Sequence, residues 1–457
     1  MKKLLATLLA LVLALSVGLI GCNGEEEEEE EGPTEVLLGA TLPITGIFAG
    51  FGQQGWGMQK AIDDWNDEYG GMYLSKWNKT VPIRDLIVKN NESDGAKVGP
   101  LTTDLVVTNK VHALLSPDAP CDLHDPTSVV ANQQHVPQII PGGPFEPWYH
   151  GAAHEGEEWP YTWFAGFAIG TPAPAPRDVP GYTLIDTWLM YMDRVGAKTN
   201  TNMIAGIFAN SDADGIGWYP NFLGVMEDYG MTVVGGGEEL GLFSDDPTQD
   251  FTSLIQRWQA AGAEIIWGNC PGAHFQRLWS QCYELQFRPK VVMVGRAALF
   301  PLDVISWGTT PPLGWGVGTE VWWSPTYAVA DDFLGIGGRT AASLAEDWAE
   351  ESGEPLNRGI GHGYLAAQVM LDAIHRAGDV DPDAINEALA ETELNTISGW
   401  VKFDTETQFS HMPLSFGQWF YDAENEDEPF TCYITCSALD FIPEEKPPIF
   451  PVNTLYS

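Results

Sequence analysis

The chain is short of positive charge. Lys and Arg together number 22 against 63 Asp and Glu, a formal net charge of −41 over 457 residues. A nucleic-acid binder needs a basic footprint, so that class is excluded, and adsorption to an anionic lipid surface is disfavoured. The acid excess suits solubility outside a cell or in a salty habitat; it does not show that a ligand is cationic. Long apolar runs are scarce too. Only the N-terminal segment carries one, so the body is not a permease. Cysteine is sparse, six in all, and no spacing has the paired form of a zinc ribbon. A Walker A loop and a Gly-x-Ser-x-Gly elbow are both missing, so the chain offers no sequence support for nucleotide hydrolysis or for α/β-hydrolase chemistry.

What is present begins with an export signal. Lys2 and Lys3 precede an apolar stretch from Leu4 to Ile20, then Gly21 and Cys22. The order Leu19-Ile20-Gly21-Cys22 resembles a bacterial lipobox, which implies cleavage before Cys22 and lipid on its sulfur and new amino group. An ordinary secretory signal cleaved near Gly21 and an uncleaved membrane helix are the alternatives. Against the first, the cysteine follows the apolar run directly; against the second, the run is short for a span. Seven glutamates, Glu25 to Glu31, then Gly32 and Pro33 follow. Such a block self-repels and builds no core. It reads as an extended tether, with cation binding as the other reading.

The length beyond the tether suggests two domains. An apolar run, Val36 to Leu42, stops at Pro43; a turn with Gly46, Gly50 and Gly52 leads to a helix with Trp56, Met58, Ala61, Ile62 and Trp65 on its apolar positions. Strand, glycine loop and helix aim backbone N–H groups at a small ligand. Strand and helix patterns then alternate. Strands are expected at Val81–Val88, Val111–Leu115 and Val136–Ile140, and helices at Ala96–Lys110 and Asp125–Gln134. From Glu146 to Pro180 the pattern lapses into Pro, Gly and aromatic residues, which suggests a crossover. A second series runs from a helix at Thr183–Val195 to a strand at Lys290–Val294, with late helices at Gly363–Ala377 and Pro382–Glu391 and closing strands at Gly399–Phe403 and Phe416–Tyr421. This alternation predicts an α/β protein with parallel sheets covered by helices. With Cys22 lipidated, five cysteines remain, an odd number, and Cys432–Cys436 is the preferred pairing.

Residues 36–70 resemble the opening of the leucine/isoleucine/valine-type solute-binding proteins of ABC importers. So do DFTSLIQRWQAAGAEIIWGNC (Asp250–Cys270), GHGYLAAQVMLDAIHRAG (Gly361–Gly378) and SGWVKFDTETQF (Ser398–Phe409). The resemblance covers most of 36–422. It implies a periplasmic-binding-protein type I fold of two lobes, a Venus flytrap, each lobe a mainly parallel sheet flanked by helices and assembled from discontinuous segments. The boundaries expected are a lipoprotein signal at 1–21, a lipidated acidic tether at 22–35, lobe 1 at 36–165, lobe 2 at 166–317, a return to lobe 1 at 318–395, closing strands of lobe 2 at 396–423, and a surface extension at 424–457.

Ligands in open α/β sheets sit outside the carboxyl ends of the strands. That places Phe51, Ser116, Asp118, Gly142, Gly143, Asp214, Asn269 and Arg296 at the cleft, and Trp163 and Trp322 are the favoured aromatic contacts among eighteen tryptophans. The family's amino-acid binders hold a carboxylate with hydroxyls and N–H groups where Ser116, Gly142 and Gly143 stand. They place an acid, paired with the ligand ammonium, where this chain has Arg296; a tyrosine of the family is matched by Asp214. Arg296 suits a carboxylate or other anion by a bidentate bond, and an inter-lobe or surface salt bridge fits it equally.

Two clusters invite other chemistry. His150, His154 and Glu155 offer two imidazoles and a carboxylate, though Gly151 argues against a helix there. Cys121, His124 and Asp125 invite a nucleophile–base reading, set against a structural or ligand-lining one. No catalytic residue, cofactor or metal is assigned. The expectation is an extracytoplasmic, lipid-anchored protein that captures a small polar or carboxylate-bearing solute, an amino acid, amide or aromatic acid, and delivers it to the membrane subunits of an ABC permease. A sensor that presents its ligand to a membrane receptor is the alternative, and a secreted hydrolase the third.

Overall fold

The computed structural model describes residues 32–151, 154, 158–235, 241–244, 246, 248–327 and 333–456. The apolar N-terminal run, Cys22, the glutamate block and Glu155 lie outside them. Met1–Thr34 and Glu35–Ser457 are separate units, and the fold is that of the second. Among the described residues no helix is long and apolar enough to cross a membrane.

Strands β1 (Leu38–Leu42), β4 (Ile87–Asn90), β5 (Ala113–Leu115), β6 (Gln138–Ile140), β7 (Thr162–Gly166) and β16 (Phe409–His411) build one sheet in the order β16-β7-β6-β5-β1-β4. Every pairing in it is parallel. A small antiparallel hairpin, β2 (Met72–Leu74) with β3 (Lys79–Val81), precedes β4. The expected strand at Val81–Val88 is therefore two elements, because Pro82 has no N–H to continue a ladder. The second sheet runs β10-β8-β11-β12-β13-β17-β18, with β9 also on β8. Its strands are β8 (Ile204–Asn210), β9 (Thr232–Val233), β10 (Leu242–Phe243), β11 (Ile265–Cys270), β12 (Val291–Arg296), β13 (Gly318–Val321), β17 (Ser415–Tyr421) and β18 (Phe430–Cys436). Strands β8 to β13 pair in parallel and β17 and β18 antiparallel. A hairpin of β14 (Glu393–Thr396) and β15 (Gly399–Lys402) stands apart.

Several segment boundaries differ from those read off the sequence. Strand β7 lies inside the supposed crossover; its five residues are all buried, so it lacks the alternation that marks a half-exposed strand. Strand β13 belongs to the second sheet, and the chain leaves that sheet after Val321, not at residue 318. Phe409–His411 lies in the first sheet, so the segment 396–423 is shared between lobes. The tail is no mere extension, since β18 completes the second sheet. The two lobes are thus joined three times: after β7, after β13, and through Met412-Pro413-Leu414 between β16 and β17.

Cys432 and Cys436 lie on one strand, four residues apart, a rise of roughly 13 Å, too far for a disulfide. All five cysteines of the described residues are free and buried.

One helix contact positions the site. The helices Gln54–Tyr69 and Gly359–Ala377 pack backbone to backbone in lobe 1. A Cβ at Gly363 would meet the Gln54 carbonyl oxygen at 2.1 Å, and one at Gly57 the Ile360 oxygen at 2.1 Å. Glycine at both points permits this approach, and it carries Gln54 and His362 to the cleft.

Candidate functional site

The carboxyl ends of both sheets face one cavity. Phe51, Asp118, Gly143 and Phe167 come from lobe 1, and Trp218, Asp214, Asn269, Arg296 and Glu320 from lobe 2, with Trp322 where the chain crosses after β13. The open space is small, about 30 Å³, room for a water or two.

Asp118 is held from three sides. The Gln54 side chain donates to its carbonyl oxygen and accepts from its N–H, both at 2.8 Å. His362 Nδ1 lies 3.0 Å from its Oδ2, and the imidazole stacks on Trp322 at 5.6 Å between centroids. A Cβ at Gly142 would fall 2.2 Å from Oδ2, so Gly142 makes room for the carboxylate but does not line the cavity. Burial pushes the Asp118 carboxyl above its usual range, against the pull of His362.

Across the cavity stands Arg296, at φ +63°, a left-handed backbone that disfavours a side chain. Its guanidinium makes four hydrogen bonds, all within its own lobe. Nη1 and Nη2 donate to the two oxygens of Asp212 at 2.7 and 3.1 Å, Nη1 donates to Asp214 Oδ2 at 3.3 Å, and Nε donates to Asn269 Oδ1 at 2.5 Å. Asp212 also caps the helix Ala213–Asp228 by accepting from the Gly215 N–H at 2.9 Å. Burial raises the Asp212 carboxyl, but the Arg296 charge and its hydrogen bonds outweigh that and hold it below its usual range. Burial wins at Asp214, aided by the Asp212 charge, and lifts it despite Arg296. The arginine forms a buried ion-pair set within its own lobe, neither between lobes nor at the surface.

Glu320 is the residue that sequence reasoning missed. It is 4 % exposed, on β13, and accepts a 3.2 Å bond from the Thr319 hydroxyl, a 3.4 Å bond from the Arg296 N–H and one from its own N–H. Burial pushes its carboxyl up to about 7. An acid inside the apolar run VGTEVWW was a signal in plain view. His362 was equally missed, hidden in a helix read as core.

Of the ten residues expected at the cleft, Phe51, Asp118, Gly143, Asp214, Asn269, Arg296 and Trp322 line this cavity. Gly142 supports it. Ser116 and Trp163 are elsewhere. The Ser116 hydroxyl is buried and accepts from Gln138 Nε2 at 2.7 Å. Trp163 donates to Asn386 Oδ1 at 2.8 Å and packs on Phe403 in lobe 1.

Two α/β lobes joined by three chain crossings, with polar groups converging at the strand ends between them, define a two-lobed binding protein. Residues 35–425 match the family model described as periplasmic binding protein, and the chain belongs to that family of extracytoplasmic solute-binding proteins. No curated protein matches the chain. Among solved structures it is similar to the leucine-binding protein LivK of Thermotoga maritima, at 18% identity over 84% of this chain and 95% of that one, TM-score 0.63. It is also similar to a Rhodopseudomonas palustris BisB5 solute-binding protein in complex with 3,4-dihydroxybenzoic acid, at 16% identity over 90% and 99% of the chains, TM-score 0.64. LivJ of Streptococcus pneumoniae, in complex with isoleucine, is 14% identical over 88% and 99%, TM-score 0.63.

Proposed function

We propose that the chain is the solute-binding component of an ABC importer, anchored by lipid on Cys22, that captures a small solute between its lobes and delivers it to a permease. The observation that carries this reading is the cavity lined by the strand ends of both lobes. Its chemistry refines the ligand. Asp118, Asp214 and Glu320 face a space whose one guanidinium is already paired. Each of the three already accepts hydrogen bonds, but fewer than the four lone-pair sites of a carboxylate allow, and a wall with spare acceptors favours a partner that donates. The solute is therefore one that presents an ammonium, amide or other N–H group, not a bare carboxylate. Similar proteins bind isoleucine and 3,4-dihydroxybenzoic acid, so amino acids and aromatic compounds belong among the candidates.

Thermal-shift screening against amines, amides, amino acids, and organic and aromatic acids tests this, because a ligand at 100-fold above its Kd stabilises by about 2.7 kcal/mol. Hits should carry an N–H donor. Hits confined to acids with none would return the site to the anion reading, and no hit in any class would count against solute capture. Cys22→Ala should move the protein from the membrane fraction to the soluble one; a variant that stays membrane-bound is not lipid-anchored there.

A further inference from the structure

Behind the cavity wall, three potential metal ligands that the solute reading leaves unused meet in one place. The 3₁₀ turn Cys121–Leu123 leads into the helix Asp125–Gln134 through His124. Three residues per turn set Cys121 and His124 on the same side, and Asp125 follows at the start of the helix. Donor atoms of Cys121, His124 and Asp125 all lie within 4.8 Å of one another. His124 is fully buried, and neither ring nitrogen has a hydrogen-bond partner. Its Nδ1 stands 3.0 Å from Asp125 Oδ1, an oxygen that also lacks a hydrogen bond. A buried imidazole left unsatisfied at both nitrogens is rare and asks for an ion or a water. A fourth donor arrives from the other lobe: Asp214 Oδ1 is 3.4 Å from Cys121 Sγ, while Asp214 Oδ2 accepts from the Cys121 N–H at 3.3 Å.

We propose that Cys121, His124 and Asp125, completed by Asp214 across the cleft, form a binding site for one divalent transition metal ion of the zinc type. One sulfur, one nitrogen and two oxygens form a borderline set of the kind that zinc and cobalt accept in tetrahedral geometry. Tetrahedral bonds of about 2.0–2.3 Å put ligand atoms roughly 3.3–3.8 Å apart, so small side-chain rotations bring the Cys121, His124 and Asp125 atoms into place, while Asp214, which meets only Cys121 of the three, has further to move. On binding, the thiol proton leaves to solvent as the metal–sulfur bond forms, and no electron moves. Two carboxylates and a thiolate then carry one charge more than the ion; Arg296, which also pairs with Asp212, lowers that excess only in part. Because Asp214 belongs to lobe 2 and the other three ligands to lobe 1, a bound ion would fasten the lobes together.

The test uses the full chain, stripped with chelator and titrated with Co²⁺; it needs no solute and so is separate from the proposed function. The expected result is one equivalent bound, with the ligand-field bands of a tetrahedral ion and a sulfur-to-cobalt charge-transfer band, both displaced by Zn²⁺. Cys121→Ser should lose the charge-transfer band. His124→Gln and Asp214→Asn should keep it and weaken Zn²⁺ binding by about 10-fold or more. Wild-type protein that is folded by circular dichroism yet shows no charge-transfer band at millimolar Co²⁺ would overturn the proposal without recourse to any variant. A band that survives in Cys121→Ser would overturn it too, and unchanged affinity in Asp214→Asn would remove the link between lobes.

Discussion

Arg296 shows how one residue sets the electrostatics of the cleft. Its left-handed backbone is held by four side-chain hydrogen bonds to Asp212, Asp214 and Asn269. Removing one side of a buried charged set strands the others, at about 3–5 kcal/mol. Arg296→Ala should lower the urea midpoint by a corresponding amount even without solute; an unaltered midpoint would mean that the two aspartates need no counter-charge. Glu320 gives a pH signature. Burial raises its folded carboxyl from 4.5 to about 7, so the folded state holds a proton that the unfolded state has released. Stability from this residue is present below about pH 4.5 and falls as pH rises to about 7. Glu320→Gln does not titrate. Its melting temperature relative to wild type should be higher at pH 8 than at pH 5, and an equal difference at both would show an ordinary carboxyl. At this scale the sequence marked most of the cavity wall, because residues just after strands must face the cleft. It could not show that Arg296 pairs within its lobe, since Asp212 is 84 residues away in the chain, nor that Ser116 turns to Gln138.

At the scale of elements, the two glycine contacts between Gln54–Tyr69 and Gly359–Ala377 tie lobe 1 to the site. Gly363→Ala drives a methyl against the Gln54 backbone, which cannot give as a flexible side chain would. Overpacking of this kind costs about 1–3 kcal/mol and displaces the amide that holds Asp118. Gly224→Ala, in the helix Ala213–Asp228 with nothing within 4 Å of its Cβ, should instead be neutral or stabilise by up to about 1 kcal/mol. Thermal melts of the two variants check the contrast; equal effects would mean that the helix packing is looser than described. Helices were the most legible elements: Asp125–Gln134 spans the residues read from the sequence, helped by an acid and a proline in its first turn. Two strands were hidden for different reasons. Strand β7 is buried on both faces amid Pro, Gly and aromatic residues, and β18 follows the acidic run Glu424–Glu428, which reads as surface.

Residues 35–457 form two lobes, one on a parallel sheet and one on a mixed sheet, joined by three strands of chain, one of them only Met412-Pro413-Leu414 between β16 and β17. Few connections and small polar contacts between lobes, such as Asp214 to Cys121, suit hinge motion. The narrow cavity, about 30 Å³, means that a solute of amino-acid size enters only if the lobes part or the wall rearranges. The lobes' discontinuous make-up was foreseeable in outline, but where the chain changes lobe was not, because sheet membership is decided by partners far away in sequence. The central claim is capture between closing lobes, and small-angle X-ray scattering tests it most directly. With the solute that gives the largest thermal shift, the radius of gyration should fall below its solute-free value. Saturating solute that leaves the scattering curve unchanged would contradict capture by closure.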